Sequence, residues 1–98
     1  MTAAKARETA FKTVHTTYEE GINNMIKVID ETIENHAKKG ELSISFDLKE
    51  LIVNHIKLSN HTIYETVREY IKTQYEEKGF KVYNTRFGCS PAYTTIDW

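Results

Sequence analysis

The sequence predicts an α+β domain with its elements in the order α-β-α-α-β-β, and three features predict it. Residues 2–39 keep apolar side chains at helical spacing throughout. Residues 42–46 alternate apolar and polar without a slip. Residues 80–98 hold two β-rich runs around a loop marked by Gly88 and Pro91.

The first element spans residues 1–39. Its apolar positions are Ala10, Phe11, Val14, Tyr18, Ile22, Met25, Ile26, Ile29, Ile33 and Ala37, in steps of mostly three and four. Lys38 and Lys39 suit the negative end of a helix, and Gly40 suits the residue just beyond it. Gly21 weakens the middle, at roughly 1 kcal/mol relative to Ala. Thr16 and Thr17 each precede a glutamate by three positions, a capping-box pattern. The reading is a long N-terminal helix, continuous or kinked near His15–Thr17. At 1.5 Å per residue an unbroken helix here would run about 57 Å, longer than a domain of this size can cover. Phe11, Val14 and Tyr18 would then need a partner, and a second copy of the chain would supply it, giving a homo-oligomer. A bend that folds this half back onto its own domain is the alternative.

The remaining elements form a β-α-α-β-β unit over residues 40–98. Leu42-Ser43-Ile44-Ser45-Phe46 reads as a strand with one buried face. Asp47, with Glu50 three residues on, caps a short helix that carries Leu48, Leu51, Ile52 and Ile56 on one side. After a break at Leu58–His61, Thr62 and Glu65 repeat the capping pattern. The next helix presents Ile63, Val67, Tyr70, Ile71 and Tyr75 and ends at Lys78-Gly79. The strands 80–85 and 93–98 then form a hairpin, with Phe80, Val82, Ile96 and Trp98 facing inward. Helices can cover one face of a three-stranded sheet. The other face would show Ser43, Ser45, Lys81, Tyr83, Tyr93 and Thr95.

Composition narrows the function classes. The chain has 98 residues, 40% hydrophobic and 28% charged, with a formal net charge of −1, a globular composition for one domain. No stripe of Lys and Arg appears, which disfavours duplex DNA, where affinity comes from phosphate neutralisation. Binding of a small nucleotide or a structured RNA stays open, since one or two arginines suffice. Cys89 is the one cysteine, so no internal disulfide forms. With no apolar leader and no long apolar run, the expected location is the cytoplasm, with no membrane partner.

Chemistry-bearing patterns are sparse. His15, His36, His55 and His61 contain no pair four apart, so no metal site is expected. Cys89 sits in Gly-Cys-Ser-Pro near Arg86 without a local base. Glu19/Glu20, Asp30/Glu31 and Glu76/Glu77 are adjacent on helices, about 100° apart, and read as solvated surface rather than an acid/base dyad. The four glycines make no phosphate loop. No catalytic residue and no cofactor is assigned. The candidate binding residues are Tyr83, Arg86, Phe87 and Tyr93 around the hairpin, the residue types that anchor interfaces or stack on bases.

The stretch from Lys38 to Trp98 carries Lys-Lys-Gly at 38–40, the alternating strand at 42–46, Glu-Lys-Gly-Phe-Lys-Val at 77–82 and a closing Ile-Asp-Trp at 96–98. In these features it resembles small accessory proteins encoded by tailed bacteriophages. The resemblance implies a virion component or an early factor that binds and redirects host machinery in the host cytoplasm. It implies no catalytic residue. The expected function is a small non-enzymatic binding protein acting stoichiometrically on a host protein or small nucleotide. The alternative is a virion or assembly subunit that oligomerises through the first helix.

Overall fold

The computed structural model describes residues 1–57, 61–85 and 93–98, and of residues 61, 62 and 85 the backbone alone. The elements are α1 (Ala3–Thr17), α2 (Glu19–Lys38), β1 (Ser43–Phe46), α3 (Leu48–His55), α4 (His61–Glu77), β2 (Lys81–Thr85) and β3 (Tyr93–Asp97). The class is the expected α+β, with the first helix divided in two.

The division falls at Tyr18, whose φ of −119° and ψ of 30° leave the helical region. The hydrogen bonds continue across it: the Tyr18 N–H reaches the Val14 carbonyl at 3.0 Å and the Ile22 N–H reaches the Tyr18 carbonyl at 2.9 Å. The expected capping box is not used. The Thr16 hydroxyl donates to the Lys12 carbonyl at 2.9 Å instead, and Tyr18 caps α2 without a side-chain bond. The bend turns α1 onto α4, and the longest dimension of the molecule is 44 Å. Thr2 caps α1 by accepting from the Lys5 N–H at 3.1 Å, and Asp47 caps α3 by accepting from the Glu50 N–H at 3.2 Å, as the sequence predicts for that helix.

Gly21, the expected weak point, is where α2 meets the end of α3. A Cβ there would lie 2.7 Å from both the His55 carbonyl oxygen and Ile56 Cγ1. The absent side chain lets two backbones approach, which outweighs its poor helix propensity.

The sheet is antiparallel, in the order β1-β3-β2. Its register sets Ile44, Ile96 and Val82 side by side, all buried. These three share one buried cluster with Ile22, Met25 and Ile29 of α2 and Val67, Ile71 and Tyr75 of α4, with α2 lying against β1 and α4 against β2. Leu48, Ile52 and Ile56 join the core from α3 and its end, and Val14 from α1. Trp98 is half-buried against this core, in keeping with the inward position expected of it. Leu42 departs from expectation. It precedes the strand and is 73% exposed, while its carbonyl accepts from the Trp98 N–H at 3.0 Å. The expected Thr62–Glu65 capping box includes a side chain outside the described ones.

Candidate binding surface

The register that buries Ile44, Ile96 and Val82 sends their neighbours to the opposite face, because strand side chains alternate. Ser43, Asp97 and Lys81 form one row there, and Ser45, Thr95 and Tyr83 the next. Tyr93 stands two residues from Thr95, a diagonal neighbour of Tyr83 at about 7–8 Å, within reach of aromatic side chains. The Ser45 and Thr95 hydroxyls are hydrogen-bonded at 2.8 Å. Tyr83 is 48% and Tyr93 45% exposed. Both tyrosines therefore lie on the sheet face away from the helices, as the alternation predicts. Arg86 and Phe87 lie outside the described residues, with Cys89 and Pro91.

The other candidate set is drawn together, but inward. Val14 is buried, and Phe11 and Tyr18 pack against the core of the same chain. The Phe11 ring meets Tyr70 edge-on, with centroids 5.7 Å apart. His15 stacks with the same Tyr70 ring, with centroids 5.6 Å apart. Arg7 bridges to Glu69 at 3.2 Å and lies over Phe11. Of the two readings the sequence left open, the structure has the bend: α1 turns back on its own chain at Tyr18, and Phe11, Val14 and Tyr18 all pack with the core of the same domain.

Two more side chains find roles the sequence did not suggest. Asp30, expected as solvated surface, accepts the Tyr75 hydroxyl at 2.7 Å, and that hydroxyl also reaches the Ile26 carbonyl at 3.2 Å. Burial, then the bond to Asp30, push the Tyr75 phenol well above its ordinary pKa. His36 pairs with Glu41 just past the end of α2, and His55 bonds the Leu51 carbonyl at 2.9 Å. Among the described residues no three potential metal ligands gather, and no helix is long and apolar enough to cross a membrane.

A cleft of about 230 Å³ opens beside β1, between α2 and α3. Val28, Ile29, Ile44, Phe46 and Leu51 form its apolar wall, and Thr32, Asp47, Glu50 and Asn54 its polar rim. The strand was legible in the sequence, but the cleft depends on how α2 and α3 splay, which no local pattern encodes. Comparison with protein-family models, curated proteins and solved structures gives no match.

Proposed function

We propose that this is a non-enzymatic binding protein that engages a protein partner through the outer face of its sheet. One observation carries the reading. Tyr83 and Tyr93 stand half-exposed as diagonal neighbours on a face otherwise made of Ser, Thr, Lys and Asp side chains. Tyrosine offers large contact area with a polar tip and little rotamer entropy to lose, so paired exposed tyrosines suit an interface centre. Arg86 and Phe87, the other two candidates from the sequence, lie outside the described residues. The phage resemblance of residues 38–98 adds the partner class, a host protein bound stoichiometrically.

The test is affinity capture from a bacterial lysate with the wild type and the Tyr83→Ala/Tyr93→Ala double variant. Capture is quantified by mass spectrometry, and fold is checked by circular dichroism. The double variant is expected to lose its specific partner by about tenfold or more, as interface anchors do, with an unchanged spectrum. Equal capture by both proteins refutes the site. A ligand-induced melting shift with nucleotides, abolished in the double variant, replaces the protein partner by a small nucleotide.

A further inference from the structure

We infer that the free edge of β1, together with the cleft beside it, takes up an extended basic segment of a partner polypeptide as a fourth strand. This surface is distinct from the outer face and does not depend on it. Among the described residues, β1 pairs with β3 on one side only. The Trp98 N–H bond to the Leu42 carbonyl sets the phase of that pairing. With the register Ser43↔Asp97 and Ile44↔Ile96, residues 42, 44 and 46 turn their backbone groups toward β3. The alternation of an antiparallel ladder then turns the N–H and C=O groups of Ser43 and Ser45 outward. Unpaired edge groups of this kind are a template for another strand.

The cleft gives that strand a reason to prefer β1. It is lined by Ile44 and Phe46 of β1 and by residues of α2 and α3, and by none of β2 or β3, so it lies on the free side of β1. An added strand would point its residues opposite Ile44 and Phe46 to the inner face, and so into the cleft. At about 230 Å³ the cleft falls below the roughly 300–1,000 Å³ of sites that enclose drug-sized ligands. It suits inserted side chains rather than a free cofactor. Its wall is apolar, while its rim carries the carboxylates of Asp47 and Glu50 and no cationic side chain. Lysine and arginine match that profile, with an apolar stem for the wall and a charged head for the rim. The polar groups of the rim also explain why the edge would select against acidic segments.

The test titrates isotope-labelled protein with a capped heptapeptide of alternating valine and lysine, followed by amide NMR. Two comparison peptides carry glutamate for lysine, or N-methyl groups on alternate backbone nitrogens. At about 1 mM peptide, a concentration that detects weak binding, the amides of Ser43, Ser45, Thr32 and Asn54 are expected to move. The N-methylated and glutamate peptides are expected to bind about tenfold or more weakly, since each loses one of the two recognition elements. Glu50→Lys is expected to reverse the preference between lysine and glutamate peptides. Ser45→Pro, which removes an outward N–H at an edge position where proline is tolerated, is expected to abolish binding while leaving the spectrum elsewhere intact. Equal binding of the N-methylated peptide, equal binding of the glutamate peptide, or no movement at residues 43–46 overturns the inference. So does movement centred on Tyr83 and Tyr93, which would assign the peptide to the outer face instead.

Discussion

The ends of α2 and α4 share one backbone and differ in what closes it. Each helix runs through a lysine into a glycine with positive φ, 83° at Gly40 and 94° at Gly79. Each glycine N–H bonds the carbonyl three residues back, and the following residue bonds the carbonyl five back. These are Gly40 to Ala37 and Glu41 to His36 in α2, and Gly79 to Glu76 and Phe80 to Tyr75 in α4, the double bonding of a Schellman turn. The side chains at the two closing positions then part ways. In α4 they are Tyr75 and Phe80, edge-on at 5.7 Å, with Tyr75 fully buried and tied to α2 through Asp30 and Ile26. In α2 they are His36 and Glu41, a hydrogen-bonded polar pair at the surface. The glycine sets the turn. The pair across it decides whether the turn belongs to the core or to solvent.

The comparison breaks hardest at Tyr75. Tyr75→Ala is expected to cost about 3–5 kcal/mol in denaturant unfolding, the range for removing a large buried aromatic. It would empty the contact that closes α4 and the tie to α2 together. Tyr75→Phe keeps the ring and loses only the hydroxyl bonds, for about 1–2 kcal/mol. The two variants separate packing from hydrogen bonding at one position. Alkaline titration sharpens the point. An unfolded tyrosine ionises near 10, while burial and Asp30 hold the Tyr75 phenol well above that. Its contribution is complete below about pH 10 and declines as pH rises beyond it, by about 1.4 kcal/mol per pH unit. Tyr70, also raised by burial, adds to the slope. Tyr75→Phe should flatten it, and an unchanged slope would place the ionising group elsewhere.

How much of this was legible follows the range of the forces. The Lys-Gly stops, the Asp47 cap and the strand alternation are local, and the structure has them where the sequence placed them, save that β1 begins at Ser43 and leaves Leu42 exposed. The inward positions of Val82 and Ile96 followed from the same alternation. The bend at Tyr18 was half legible. A joint near Thr16 was in view, but the cause is tertiary: α1 finds Phe11 and Val14 a partner on α4. Gly21 read as a defect because propensity sees one helix at a time, whereas its function is to admit the His55 carbonyl of another. Asp30 read as surface for the same reason, since Tyr75 is distant in sequence. At the candidate surface, Tyr83 and Tyr93 were found from their period of two, while the cleft beside β1 had no local signature.

A matched pair of glycine variants tests the shared half of the comparison. A Cβ at Gly40 or Gly79 would meet nothing within 4 Å, so the cost of alanine there is the backbone's alone. Gly40→Ala and Gly79→Ala are each expected to lose about 1–2 kcal/mol, the penalty of the left-handed conformation for a residue with a Cβ. The two losses should agree, although one turn is closed by the core and the other by surface side chains. A gap of roughly twofold or more, relative to that penalty, would show that the closing pair shapes the turn and does not merely decorate it.

The smallest effect is expected at the surface turn, and it is best read as a titration. The hydrogen bond from His36 holds the Glu41 carboxyl below its ordinary pKa, with the positive charges of His36 and Lys39 acting in the same direction. An unfolded glutamate titrates near 4.3. A depressed folded value means that the contact contributes fully above that pH and is lost as pH falls through the folded value. Carboxyl NMR should therefore find Glu41 titrating below the ordinary glutamate range in the wild type and within it in His36→Ala. Because both side chains meet water, added salt should weaken the contact while leaving the Tyr75–Phe80 closure of α4 unaffected. A Glu41 that titrates normally in the wild type, or that ignores the loss of His36, would mean that the backbone bonds alone close the α2 turn. The two helix ends would then differ only in that one of them is buried.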